Sequence, residues 1–429
     1  MKILYTTDGF PLPHMPGGSR YYQLARWLRD QGHEVTVLCN ARNYLTEADA
    51  FAGTPEDPQI HDGIKIVGLP TPKGRHQGKI GRVLVYLSLL TKTYTFGRRL
   101  PRHDLVIAGT PPLLMPLASL LLARSYRSPA ILEVRDLHPQ MAVASGIVKN
   151  PLIVGPWGLF ERTLRKRFHH IVAAVPRMRA MIAAEGNPAD KVTVVTSGYD
   201  LESDAETELP PEIEHYLAAN AGKFIVAYTG NMGLGAWDIR GLVQVADRLK
   251  HRDDIRFLFI GDGEQRRLAE DDARAAHLPN TQFFSSISRL QIASVMRRAG
   301  ALVMAYRDNP FYEYIIPIKL FDYMGAGRPI VFSGVGDGPA ILEAARGGIV
   351  FNRFDSGAFA AAVAELADDP DKAAKFGANN RSYVLAHLLR EKQMAHWTTA
   401  IEKAFAAARL HAPRISDQPK AARQDIEPA

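Results

Sequence analysis

Eleven short apolar runs rich in Val and Ile punctuate this chain, and helical stretches separate them. In the first half they lie at 3–7, 34–39, 104–108, 130–134, 171–175 and 192–196; in the second at 224–229, 255–260, 301–305, 329–332 and 348–351. Runs this short, without polar alternation, suit strands buried on both faces of a parallel sheet. Between the first two, Tyr22, Leu24, Ala25, Trp27 and Leu28 recur at helical spacing, and Gly32 stops the helix. A β-α-β beginning of this kind predicts an α/β, doubly wound fold. The rhythm breaks once, at 197–222, where Asp200, Glu202, Asp204, Glu206 and Glu208, then Pro210-Pro211, replace apolar periodicity. Two doubly wound units follow from this: 1–196, a linker at 197–222, and 223–380. A long helix is expected at 381–410 and a polar, disordered tail at 411–429.

With 429 residues, 46% of them hydrophobic and 23% charged, each unit can bury a core, and bulk disorder is excluded. The single cysteine, Cys39, excludes a disulfide framework and fits a reducing compartment. No apolar run reaches the ~20 residues of a membrane span, and the first residues read as a strand rather than a signal peptide. A cytoplasmic protein able to touch a membrane is expected. The net charge of +7 favours an anionic partner. From 73 to 103 there are eight Lys/Arg residues, Arg98, Arg99 and Arg102 among them, and no acid. They flank an apolar stretch at 83–90, which suits an anionic membrane surface; the alternative is a core helix with a solvated basic face. Arg162, Arg165, Lys166 and Arg167 add a second basic cluster. No nucleic-acid module is present, so nucleic acid is not expected as a partner.

Five segments that follow strands carry chemistry. Gly17 and Gly18 precede the first helix, where backbone can approach a phosphate at a helix N-terminus; a plain turn capped by Ser19 is the alternative. The second unit opens with Gly230-Asn231-Met232-Gly233, followed later by Gly261-Asp262-Gly263-Glu264. Neither completes a dinucleotide fingerprint. The densest stretch runs from Asn309 to Ile330, with Pro317 able to start a helix and Gly325 and Gly327 able to end it. Lys319 and Asp322, three apart, share a face there: a lysine suits a diphosphate and a carboxylate suits sugar hydroxyls, unless the two form a surface ion pair. In the first unit Asp136 and His138 follow a strand, where either could hold an acceptor hydroxyl and take its proton. No metal site is expected, since the one compact Asp-x-Asp, Asp369-Pro370-Asp371, lies in a late turn.

The 309–330 stretch resembles the Pro-Ser-Lys…Glu-Tyr-Met-Ala-x-Gly-x-Pro signature of family-four retaining glycosyltransferases with the GT-B fold. The likeness extends through the Gly17-Gly18 loop, Gly32-His33-Glu34-Val35, the Gly230 and Gly261 turns and Asp136-Leu137-His138-Pro139-Gln140, covering about residues 1–405. It is similar to the branch that builds bacterial surface polysaccharides such as O-antigen. The resemblance implies two Rossmann-like domains facing across a cleft, acceptor-side first and nucleotide-sugar-binding second, with the 381–410 helix crossing back. It implies no cofactor, and a hexosyl or N-acetylhexosaminyl transfer from a nucleotide sugar, UDP-linked by default, to a lipid-linked saccharide at the inner face of the plasma membrane. Lys319 would bind the donor diphosphate, Asp322 the ribose, and Glu313 would lie near the donor sugar. Gly17 and Gly18 would face the phosphates, with Gly230, Asn231, Gly233, Gly261 and Asp262 lining the donor side. The chain departs from the pattern at Asp322 (usually Glu), at Ile318 (usually Ser), and at Asn231, where many members carry Arg. A sugar-nucleotide epimerase, a dehydrogenase and a non-catalytic polyanion binder are the competing classes.

Overall fold

The computed structural model describes residues 1–408 apart from 14, 16–19, 45, 74–77, 113, 145–147, 149 and 234. The chain divides into two compact units, one of residues 1–141, 148–195 and 394 onward, the other of 142–147 and 196–393. The tail at 411–429 lies outside the described residues.

In the first unit, eight strands form one sheet: β1 (Lys2–Thr7), β2 (Glu34–Asn40), β3 (Gln59–His61), β4 (Ile64–Leu69), β5 (Leu105–Gly109), β6 (Ala130–Val134), β7 (His170–Ala173) and β8 (Val192–Val194). The order is β3-β4-β2-β1-β5-β6-β7-β8, parallel except for β3 against β4. That edge hairpin escapes the apolar-run reading, yet His61-Asp62-Gly63-Ile64 carries its signal. Asp62 and Gly63 both hold positive φ, 47° and 72°, as a two-residue hairpin turn requires. The helices are α1 (Arg20–Asp30), α2 (Lys79–Gly97), α3 (Met115–Tyr126), α4 (Gln140–Ala144), which ends in the second unit's residues, α5 (Pro151–Arg167) and α6 (Pro176–Ala184). The connections through α2, α3 and α5 all advance the same way along the sheet, whereas α1 connects backwards. Right-handed crossovers therefore put α2, α3 and α5 on one face and α1 on the other. On the α1 face Leu24 and Leu28 pack with Ile3, Val35, Trp397 and Ile401, all buried. Each such side chain contributes about 1.5–3 kcal/mol.

In the second unit the elements are α7 (Pro211–Ala219), β9 (Phe224–Thr229), α8 (Ile239–Arg248), β10 (Ile255–Ile260), α9 (Glu264–Ala275), β11 (Thr281–Phe284), α10 (Arg289–Arg298), β12 (Ala301–Ala305), α11 (Ile318–Gly325), β13 (Ile330–Ser333), α12 (Asp337–Ala345), β14 (Gly348–Phe351), α13 (Ser356–Asp368), α14 (Pro370–His387) and α15 (Arg390–Ala407), whose later residues belong to the first unit. The parallel order β11-β10-β9-β12-β13-β14 reverses direction beside β9, where doubly wound sheets bind ligands. Both units are thus parallel-sheet Rossmann-like folds.

Two expectations are corrected. The 197–222 stretch, read as a linker, holds a 3-10 turn (Leu201–Asp204) and α7, whose Ile213 and Leu217 are buried. Pro210 and Pro211 start that helix instead of breaking structure, and Glu212 and Glu214 suit its positive end. The single helix expected at 381–410 is two, α14 and α15. They part at Leu388-Leu389, where Tyr199 takes their backbone groups: its N–H donates to Leu388 O and its carbonyl accepts from Arg390 N, each at 2.7 Å.

Candidate functional site

The two glycine turns of the second unit are packed backbone on backbone. Gly230 holds φ 113° and Gly261 φ 154°, and a β-carbon on Gly261 would fall on the Gly230 carbonyl oxygen. The N–H groups of Gly230 and Met232 donate to the Ile260 and Asp262 carbonyls at 2.8 and 2.9 Å, and that of Gly233 to Asn231 Oδ1 at 2.6 Å. These donors are already used within the unit. The glycines have a packing reason of their own, which is to let the ends of β9 and β10 close against each other. The Asp262 carboxylate accepts from Ser286 N at 2.8 Å and pairs with Arg266 at 2.7 Å; the Ser286 N–H holds it below the usual carboxylate range.

Beside this platform lies Lys319, the second residue of α11, a helix whose preceding residue, Pro317, gives it no side-chain cap. Its ammonium donates to Tyr228 Oη at 2.7 Å and stands 3.9 Å from the Tyr228 ring centre and 4.1 Å from that of Trp237. It sits close over Gly230, where a β-carbon would come within 3.2 Å of Nζ. Trp237 is held by stacking on Tyr306 (5.2 Å, 29°), and Tyr306 lies edge-on to Phe332. Tyr228 Oη in turn donates to the Asn231 carbonyl at 2.6 Å. Among the described residues no carboxylate pairs with Lys319. Desolvation therefore holds its amine well below the ordinary lysine range. A shielded cation with aromatic neighbours and no counter-ion is short of negative charge, which an anionic ligand would supply.

One turn along α11, Asp322 has different company. It accepts from Arg289 at 3.3 Å; Arg289 also reaches Asp200 at 3.2 Å, and Arg390 pairs with Asp200. Burial pushes the Asp322 carboxyl up, opposed by Arg289 and Arg390. Lys319 and Asp322 do not pair with each other. Glu313 lies in a 3-10 turn (Pro310–Tyr314) whose backbone abuts Gly336, at φ 101° before α12. Tyr228, Trp237, Tyr306 and Arg289 were not singled out in the sequence. Their only local signal is position: Tyr228 and Tyr306 at or just past strand ends, Trp237 two residues ahead of α8, and Arg289 directly behind the Ser288 cap of α10.

In the first unit, Gly17 and Gly18 lie outside the described residues. Asp136 and His138 follow β6 as expected. His138 stacks on Trp157 of α5 (5.6 Å, 10°), and both its ring nitrogens are covered and lack hydrogen-bond partners among the described residues. Desolvation holds its imidazole below the usual range, with Asp136 opposing. Beneath the stack, Arg165 pairs with Glu161 at 3.2 Å and Glu185 at 2.6 Å, and burial pushes the Glu161 carboxyl up to about 7. On α2, Val85, Leu89 and Thr93 are buried, while Ile80, Val83, Leu84 and Leu87 are 45–79% exposed. Among the described residues no group of three or more His, Cys, Asp or Glu could hold a metal ion, and no helix is long and apolar enough to cross a membrane.

These features coincide with two family matches. Residues 17–198 match the glycosyl transferase 4-like domain, and residues 223–369 match glycosyl transferases group 1. The chain belongs to the glycosyltransferases with the GT-B fold. It is similar, at 26% identity over 227 residues, to a D-inositol 3-phosphate glycosyltransferase of Streptomyces scabiei; the match covers 48% of this chain and half of the relative. Among solved structures it resembles sucrose-phosphate synthase of Thermosynechococcus elongatus (TM-score 0.69, 17% identity, 95% and 99% of the two chains). It also resembles Anabaena Alr3699/HepE in complex with UDP (0.66, 15%, 94% and 100%). A third is WaaG, a glycosyltransferase involved in lipopolysaccharide biosynthesis (0.62, 16%, 91% and 98%). At these identities the structures speak for the fold alone.

Proposed function

We propose that this glycosyltransferase moves a hexosyl or N-acetylhexosaminyl group from a UDP-sugar to a lipid-linked saccharide in surface polysaccharide synthesis, with retained anomeric configuration. The observation that carries the reading is Lys319, an ammonium held against Tyr228 and Trp237 at an uncapped helix start, with no carboxylate of its own among the described residues. A nucleotide diphosphate supplies the missing negative charge. As the sugar–phosphate bond breaks, charge grows on the departing diphosphate, and a cation already positioned there stabilises it without reorganising. The acceptor hydroxyl enters on the leaving-group face, so the departing phosphate oxygen takes its proton. Asp322, with Arg289, is the ribose-side group, and Glu313 lies toward the sugar.

On the acceptor side, in the first unit, Asp136 orients the incoming hydroxyl. His138, its nitrogens covered, holds the loop. The exposed apolar residues of α2 and the basic 73–103 segment support a membrane-borne acceptor, and WaaG's part in lipopolysaccharide biosynthesis supports a surface-polysaccharide role. Sucrose-phosphate synthase shares the fold, so the acceptor class rests on this surface and on the Asp136–Gln140 resemblance.

The test is thermal stabilisation by UDP, with NAD as comparison, followed by transfer from UDP-sugars to a polyprenyl-linked saccharide and NMR of the product anomer. UDP should raise the melting temperature and NAD should not. An inverted product, or stabilisation by NAD alone, would sink the proposal.

A further inference from the structure

Along α5 two stripes oppose each other. Trp157, Glu161, Leu164, Arg165 and Phe168, just past its end, turn inward. Leu152, Leu159, Arg162 and Lys166 lie outward at helical spacing, with Ile153 and Arg167 beside them. The outward stripe changes character along its length. Residues 151–160 carry no charge, and Leu152, Ile153 and Leu159 are 83%, 53% and 61% exposed. The exposed Arg162, Lys166 and Arg167 follow. Leu152 and Arg162 are separated by ~15 Å of helix, about half of a ~30 Å hydrocarbon core. Acyl chain followed by phosphate at that interval is the polarity profile of one anionic leaflet. A protein partner would not require such a gradient.

The helix start is also prepared for a medium without water. Pro151 has no N–H, Leu152 N donates to Asn150 Oδ1 at 3.0 Å, and Ile153 and Val154 N donate to Asn150 O at 3.0 and 3.1 Å. The first donors of α5 thus have partners, as burial in lipid demands. On the same face of the sheet, α3 packs between α2 and α5, and α2 exposes its own apolar residues. The inward side of α5 is keyed to the Asp136 loop: Trp157 stacks on His138, and Gly158 lies against Pro139.

We infer that α5 is a lipid-docking helix, its Leu152–Ile153–Leu159 end seated in an anionic leaflet, and that the Trp157–His138 stack holds the Asp136 loop at a fixed height above that surface. The inference rests on the membrane-borne acceptor proposed above, and goes beyond it in naming the element that enters lipid and the contact that transmits its position.

Labelling tests it without disturbing the core. Cys39 is buried and burial pushes its thiol up, so a cysteine placed by Leu152→Cys takes an environment-sensitive fluorophore selectively. Arg267→Cys on α9, at a side chain 91% exposed, is the control. With phosphatidylcholine vesicles containing phosphatidylglycerol, the label at 152 should shift to the blue and that at 267 should not. Leu152→Asp with Leu159→Asp should weaken vesicle partitioning about tenfold and leave stabilisation by UDP unchanged. Trp157→Ala should lower transfer to a membrane-borne acceptor with partitioning intact, and Trp157→Phe should restore it. A label at 152 that stays in water while the protein still binds vesicles overturns the inference and leaves the membrane reading standing through α2. If the unmodified protein ignores such vesicles, both fail. A dimer dissolved by the two aspartates, without vesicle binding, would assign the face to a second copy of the chain.

Discussion

Arg20 and Lys319 occupy similar places in the two units. Each stands in the first turn of a helix near the ends of parallel strands, Arg20 buried and Lys319 half-buried. Their surroundings differ. Arg20 donates to Glu133 Oε1 at 2.7 Å and to the Val195 carbonyl at 2.7 Å, while Tyr5 Oη donates to the other Glu133 oxygen at 2.5 Å. The side chains of the pair are 3% and 0% exposed. Lys319 has one phenol, two aromatic faces and, among the described residues, no carboxylate. A cation whose charge the protein balances itself holds the fold together. One left unbalanced is what the proposed diphosphate site calls for.

The sharpest way to break that comparison is to remove the satisfied cation. Arg20→Met strands Glu133 inside the first unit, and losing one partner of a buried pair costs ~3–5 kcal/mol. Denaturant unfolding followed by a first-unit probe should show that loss. A change below ~1 kcal/mol would mean that the pair is no more structural than a surface one.

Lys319→Met should do the opposite. It removes a charge that folding desolvates without compensation, so stability should hold or rise. Transfer should nevertheless fall ~10²–10³-fold, the effect of deleting one preorganised stabiliser of developing charge. Steady-state kinetics beside a thermal melt separates the two. A variant that loses stability and activity together would place Lys319 in the same class as Arg20.

How much of this could be read from the chain follows from how far apart its parts lie in sequence. Five of the six strands of the second unit were legible because each is a local run, Phe224–Thr229, Ile255–Ile260 and Ala301–Ala305 among them; the four-residue edge strand Thr281–Phe284, with two polar residues, was not. Lys319 was legible because the proline, lysine and glycines that frame its helix sit within one short motif. Its aromatic neighbours were not. Tyr228 reads as one more apolar strand residue and Trp237 as a residue after a turn; only the closure of the β9 turn over β12 stacks Trp237 on Tyr306. Asp200 looked like one acid of a polar linker for the same reason, since its partners Arg289 and Arg390 are 89 and 190 residues away. Periodicity reports which face of an element is buried. It does not report which distant side chain lies across from it.

The smallest effect is the most specific to an unbalanced lysine. In the free protein, desolvation lowers the Lys319 pKa; a bound diphosphate favours the ammonium and raises it again. Below the lowered value the amine is charged with or without ligand, and affinity does not depend on this group. Between the free and bound values the ligand must bring a proton with it, so affinity falls as pH rises, by up to tenfold per unit, ~1.4 kcal/mol. Above about pH 7 the terminal phosphate of UDP is itself ionised, so proton uptake there reports the protein. Calorimetry in two buffers of different ionisation enthalpy should detect a fractional proton taken up on UDP binding. Lys319→Arg, whose guanidinium stays charged throughout, should bind UDP with none. Uptake that persists in the arginine variant would locate the titrating group elsewhere, and Lys319 would then be an ordinary charged lysine that happens to lie beside two aromatic rings.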